Sequence, residues 1–151
     1  MACVLIYGQD ELCEDIEFEM RKHTHFVRRI GTFSQTNYKP HMLIICQNAK
    51  TMEGGGLPIE DNVKMTWSTI RYYLPHLSAI INIGQTTGDA VTRAAVKEML
   101  RVYSNIVDVL SITFNPEKAN CRKFMHFLGY ITCCDSNLKG LIGNEINYGG
   151  I

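Results

Sequence analysis

Between residues 78 and 104 the chain passes from an apolar stretch, through a glycine-bearing turn, into an amphipathic stretch. This order commits it to an α/β fold. Ser78-Ala79-Ile80-Ile81-Asn82-Ile83 reads as a strand. Val91 to Tyr103 reads as a helix, with Val91, Ala95, Met99 and Val102 on one face. The turn between them is Gly84-Gln85-Thr86-Thr87-Gly88-Asp89-Ala90, and Gly88 sits where a loop brings its backbone close to another group. Free N–H groups and the helix dipole at such a point form an anion site, most often for phosphate.

The remaining elements follow the same logic. Cys3 to Tyr7 is a β-rich apolar run, broken by Gly8-Gln9-Asp10. Asp10 is placed to cap a helix, with Glu11 in its first turn; Leu12, Cys13, Ile16 and Met20 then keep helical spacing to about His23. Phe26 to Phe33 reads as extended and Ser34 to Pro40 as a loop. Met42 to Cys46 is short and wholly apolar, as a central strand is. Residues 52–58, with three glycines and a proline, read as a hairpin tip or mobile loop. Val63 to Trp67 alternates like a strand, yet Val63, Trp67, Ile70 and Leu74 also fit a helix, and the pattern does not separate the two. Ile106 to Phe114 is a strand ended by Asn115-Pro116. Lys118 to Leu128 is a helix, Gly129 its C′ residue, and Tyr130 to Cys134 a final strand. The whole chain, 1–151, reads as a single domain, with 135–151 as a partly ordered tail.

Composition narrows the function. Fifteen basic residues balance fifteen acidic ones, so no nucleic-acid or membrane partner is expected. Arg21, Lys22, His23, His25, Arg28 and Arg29 cluster locally, which reads as a solvated helix end and strand edge. No leader or membrane-spanning stretch is visible, and a cytoplasmic location is expected. The six cysteines fit reduced thiols. No metal is expected: Cys133-Cys134 point to opposite faces of a strand, and His23-x-His25 lacks companions at ligand spacing. Ser68, Ser78, Ser104 and Ser111 lack a nucleophile elbow, and Gly54-Gly55-Gly56 lacks the Lys-Ser/Thr of a P-loop. Cys46 reads as a buried small apolar residue, and Trp67, Tyr72 and Tyr73 as core.

The stretch 78–134 resembles the cofactor-binding half of the GCN5-related N-acetyltransferases. Gln85-Thr86-Thr87-Gly88-Asp89-Ala90 is similar to that family's Gln/Arg-x-x-Gly-x-Gly/Ala pyrophosphate loop. Ala119-Asn120-Cys121-Arg122-Lys123-Phe124-Met125-His126-Phe127-Leu128-Gly129-Tyr130 is similar to its Asn-rich helix ending in Leu-Gly-Phe/Tyr. The resemblance implies an α/β, three-layer fold with a central mixed sheet flanked by helices. It implies that acetyl-CoA lies along Ile81 to Ile83, with its pyrophosphate on Gln85, Thr86, Thr87, Gly88, Asp89 and Ala90 and with Asn120 near the thioester. Acetyl transfer to an amine, on a small molecule or a protein, is the implied reaction, and a homo-oligomer is compatible with it. The implied proton donor falls on Met125, which cannot donate; Tyr103 and Tyr130 are the nearest tyrosines, so no catalytic residue is assigned.

The element order also fits a flavodoxin- or receiver-like doubly wound sheet. Function then gathers at the carboxyl ends of the strands, at Gly8-Gln9-Asp10-Glu11, Gln47-Asn48, Gly84 to Thr87 and Asn115 to Lys118. Gln47 stands where a receiver needs aspartate, and Gly8 to Glu11 is too acidic for a flavodoxin phosphate loop. On that architecture a non-catalytic interaction module, such as a phage or viral accessory factor, is the expected alternative.

Overall fold

Short, continuously apolar runs such as Leu43-Ile44-Ile45 can bury both faces, and they do so in one parallel sheet. The computed structural model describes residues 3–23, 26–47 and 59–149. In chain order the elements are β1 (Cys3–Tyr7), α1 (Glu11–His23), β2 (Phe26–Ile30), β3 (Met42–Gln47), α2 (Ile59–Tyr73), β4 (Ala79–Gln85), α3 (Ala90–Tyr103), β5 (Asp108–Phe114), α4 (Cys121–Thr132), α5 (Asp135–Lys139) and β6 (Glu145–Tyr148). A 3-10 turn at Leu74–His76 joins α2 to β4.

The strand order is β2-β1-β3-β4-β5-β6. The three-layer α/β architecture is the one expected. Every strand pair is parallel, so the sheet is not mixed. Successive residues of each strand feed opposite cores. Val4, Ile6, Ile44, Ile81 and Ile112 pack under α1, α4 and α5. Leu5, Tyr7, Leu43, Ile45 and Ile80 pack under α2 and α3 with Ile70, Tyr73, Val96 and Leu100. This is the doubly wound arrangement.

The link from β2 to β3 crosses the second face without a helix. Tyrosines hold it there. Tyr73 Oη lies 2.9 Å from Ser34 O and 3.0 Å from Thr36 Oγ1. Tyr38 Oη lies 3.0 Å from both Val4 O and Phe26 O, and burial pushes its phenol up to about 12. Two of the three helical aromatics, Trp67 and Tyr72, are therefore surface bracing rather than core; Trp67 Nε1 donates to Tyr103 Oη at 3.1 Å.

Several expectations change. Residues 63–73 are helical, since Thr69, Ile70 and Tyr73 are buried together on one side of α2. Tyr130 to Cys134 is not a strand: α4 runs on to Thr132, with Cys133 as its C-cap. Gly129 does not end that helix. It lies inside it, where a Cβ would come within 2.8 Å of His23 Nε2 on α1. Of the segment read as a tail, 135–149 carries α5 and β6, and Ile146 and Tyr148 pack on the α1/α4 core. The basic cluster lies at the solvated end of α1 and on the edge strand β2, as read, with Arg21 and Arg29 both bound to Glu17 and Lys22 to Glu19. His25 and the glycine loop at 52–58 lie outside the described residues.

Candidate functional site at the carboxyl edge of the sheet

In a doubly wound sheet, ligands bind outside the carboxyl ends of the strands where the strand order reverses. The chain here leaves β1 toward β2 on one side and leaves β3 toward β4 on the other. The crevice therefore lies between the ends of β1 and β3. The turn after β1 supplies Gly8, Gln9 and Asp10, β3 supplies Cys46, and β4 supplies Gln85.

Asp10 organises this edge. Its Oδ1 accepts from Cys13 N at 3.0 Å, capping α1, and its Oδ2 accepts from Gln85 Nε2. Gln85 is buried, so this partner satisfies an amide that water does not reach. Gln9 Nε2 donates to Gly31 O at 3.1 Å, tying the turn to the end of β2. Gly8 is required by close packing: a Cβ there would stand 2.2 Å from Cys13 Sγ and 3.0 Å from Cys46 Cβ. The two thiols meet in the space it leaves. The hydrogen bond with Cys46, burial and the Asp10 charge all push the Cys13 thiol up, so it is protonated at neutral pH. The ligand atoms of Asp10, Cys13 and Cys46 lie within 4.8 Å of one another. The sequence offered Asp10 as a cap and Cys46 as an apolar residue. Only the parallel order of β1, β3 and β4 brings them to one place.

The loop at 84–90 has a different character from the one expected. Thr86 N donates to Phe114 O and Gly88 N to Gln85 O, at 2.9 and 3.0 Å. Asp89 caps α3, accepting from Thr92 N at 2.7 Å and Thr92 Oγ1 at 3.0 Å. Arg93 Nη1 donates to Gln85 O and Gly88 O. The protein's own carboxylate thus takes the place of an external anion at this helix end. Thr86 and Thr87 are exposed, and Ala90 opens the helix. Asn120, in turn, caps α4 by accepting from Lys123 N at 3.0 Å.

Ile81 and Ile83 are in the middle of the sheet. Ile81 pairs with Ile44 on one side and Leu110 on the other, and Ile83 with Cys46 and Ile112. Neither edge of β4 is free to receive a pantetheine arm as an extra strand. Tyr103 belongs to α3 on one face of the sheet and Tyr130 to α4 on the other, with Met125 partly buried on α4.

The fold is similar to a solved structure provisionally assigned as an NAD-dependent epimerase/dehydratase from Methylobacillus flagellatus. The TM-score is 0.59 at 9% identity, over 97% of this chain and 75% of that one. At that identity the likeness establishes the fold. No protein-family model matches the chain, and no curated protein matches it. The acetyltransferase reading, its acetyl-CoA cofactor and its amine acetylation are overturned by this fold and by the doubly paired β4. The fold likeness gives no support to a non-catalytic interaction module either. No helix among the described residues is long and apolar enough to cross a membrane.

A dinucleotide on such a fold sets its pyrophosphate at the N-terminus of the first helix, over a glycine-rich turn. The residues here do not fit it. Gly8 is the one glycine of the turn, and its open side is filled by Cys13 Sγ. Asp10 already caps α1, and Glu11 and Glu14 make its first turn acidic. A pyrophosphate at that end meets carboxylates at close range.

Proposed function

We propose that this chain binds a nucleoside, rather than a dinucleotide, at the carboxyl edge of its sheet between β1 and β3. The neighbour of the same fold is named for its use of NAD, a nucleotide cofactor, while the α1 terminus here repels phosphate. The observation that carries the reading is the Asp10–Gln85 bridge over the end of β3. It fixes the partly exposed Asp10 carboxylate as an acceptor in the crevice where a fold of this class takes its ligand. Ribose hydroxyls and exocyclic amines are donors that suit such a carboxylate. A cytoplasmic location belongs to the same reading, since all six cysteines are free thiols.

Thermal unfolding with adenosine, guanosine, cytidine and uridine, each with EDTA present, tests it. A ligand that binds only the folded chain adds about 2.7 kcal/mol at a hundredfold excess over its dissociation constant. One nucleoside is expected to raise the midpoint, Asp10→Asn to remove that rise, and NAD and ADP to give no larger one. No rise with any nucleoside, or an undiminished rise in Asp10→Asn, rejects the proposal.

A further inference from the structure

Below the Asp10–Gln85 bridge, two thiols converge on the carboxylate that caps α1. Asp10 and Cys13 are the cap and the first turn of one helix, joined by the bond from Cys13 N to Asp10 Oδ1, and Cys46 comes from the end of β3. Their ligand atoms lie within 4.8 Å of one another. Cys13 is fully buried and Cys46 nearly so. Gly8 leaves the room that Cys13 Sγ occupies beside Cys46, because any Cβ there would run into that sulfur.

We propose that Asp10, Cys13 and Cys46 hold a zinc-class divalent cation. Zinc–sulfur bonds of about 2.3 Å and zinc–oxygen bonds of about 2.0–2.2 Å, tetrahedrally arranged, need ligand atoms roughly 3.5–4 Å apart. A triad already inside 4.8 Å reaches that with small side-chain shifts. Two sulfurs select zinc over magnesium or calcium, which take oxygen ligands. Binding is balanced by two protons: each thiol releases one to solvent, and the ion takes both thiolates and one carboxylate oxygen. Gln85 serves as the positioning residue, because its Nε2 holds the other oxygen of Asp10. No fourth His, Cys, Asp or Glu joins the group among the described residues. The fourth position is therefore left to water or to a molecule in the crevice, the pattern of zinc sites that act on ligands rather than merely brace a fold. The ion and the nucleoside both draw on Asp10, but their tests separate them: the metal test contains no nucleoside, and the nucleoside test contains a chelator.

The exposed cysteines, Cys121, Cys133 and Cys134, must be removed from the readout. The test is cobalt(II) titration of the reduced, full-length chain carrying C121S, C133S and C134S. The expected result is one equivalent bound, with thiolate-to-cobalt charge-transfer absorption and the strong visible bands of tetrahedral cobalt, both erased by added zinc. Cys46→Ser, which leaves one thiolate, is expected to reduce the charge-transfer intensity clearly. Asp10→Asn and Gln85→Ala are expected to weaken binding about 10- to 100-fold while the band persists at high cobalt. Absence of the charge-transfer band in the triple-serine chain overturns the proposal. So does a band of undiminished intensity in a folded Cys46→Ser variant. Should Cys46→Ser fail to fold, the triple-serine titration decides alone.

Discussion

Gln85 and Asp10, 75 residues apart, are joined by a hydrogen bond from the Gln85 amide to the Asp10 carboxylate that passes over the end of β3. It locks the end of β4 to the cap of α1, and so fixes the rim of the crevice. Removing the amide leaves Asp10 with its cap bond alone. Gln85→Ala is expected to cost about 1–3 kcal/mol, because a hydrogen bond to the partly buried Asp10 carboxylate is lost. Urea unfolding of the two proteins measures it, and a difference near zero means the bridge is not formed in solution.

Gly8 tests the packing beneath that rim. A Cβ there meets Cys13 Sγ at 2.2 Å, a distance real structures do not tolerate. Gly8→Ala is expected to destabilise by about 1–3 kcal/mol through overpacking. In a Cys13→Ala background the same substitution should cost distinctly less, since the obstructing sulfur is gone. The coupling from a double-mutant cycle is the quantity to measure. Additive effects would mean that Gly8 is needed for something other than room for Cys13.

How much of this was legible follows from what each feature depends on. The strands β1, β3 and β4 show in the sequence because parallel strands buried on both faces are continuous apolar runs, as in Leu43-Ile44-Ile45. The helix over 63–73 is ambiguous in sequence because Val63, Met65 and Trp67 alternate like a strand while Val63, Trp67 and Ile70 keep helical spacing. What resolves it is tertiary, the shared burial of Ile70 and Tyr73 against Leu5 and Ile80. The loop at 84–90 was correctly seen as a strand-to-helix turn. The Asp89 cap is itself local, an aspartate three residues before Thr92 at the start of α3; what the sequence does not show is that β4 is paired on both edges. Asp10, Cys46 and Gln85 converge only once the strand order is known, and that order is a property of the whole chain.

Gly129 shows the same dependence. As a C′ residue in the left-handed region it would resist replacement. Inside α4 it instead carries the ordinary helix cost of glycine, about 0.5–1 kcal/mol relative to alanine, and its new Cβ has only the His23 ring to displace. Gly129→Ala is therefore expected to fall within about 0.5 kcal/mol of the parent, and to stabilise by about 0.5–1 kcal/mol in a His23→Ala background. Thermal unfolding of the four proteins checks it. A loss above about 2 kcal/mol in both backgrounds would restore the helix-end reading, because only a strained backbone produces it.

Asn82 offers a substitution expected to be harmless or better. It is buried on β4 beneath α3, and its Oδ1 has no hydrogen-bond partner among the described residues. Replacing a polar atom that lacks a partner removes its desolvation penalty, and a β-branched residue suits a central strand. Asn82→Val is expected to leave stability unchanged or raise it by about 1 kcal/mol. A loss of more than about 1 kcal/mol in chemical denaturation would show that the amide has a partner, such as an ordered water, in solution.

Glu17 ties α1 to β2 and gives the fold a defined response to acid. It accepts from Arg29 Nε at 2.9 Å and Arg21 Nη2 at 2.7 Å. The hydrogen bond from Arg29, then that from Arg21, holds its carboxyl below the ordinary value of 4.5. A carboxylate favoured in the folded state stabilises fully above its unfolded value, and that stability is lost as pH falls through the lower folded value. Glu17→Gln is accordingly expected to cost about 0.5–1 kcal/mol at pH 7, the range of partly exposed ion pairs. The gap should hold down to about pH 4.5 and close below it, as the parent protein becomes protonated. Denaturation midpoints across that range distinguish charge from shape: a gap that persists unchanged in acid means Glu17 acts by packing, and one that shrinks with salt at pH 7 confirms the electrostatic origin.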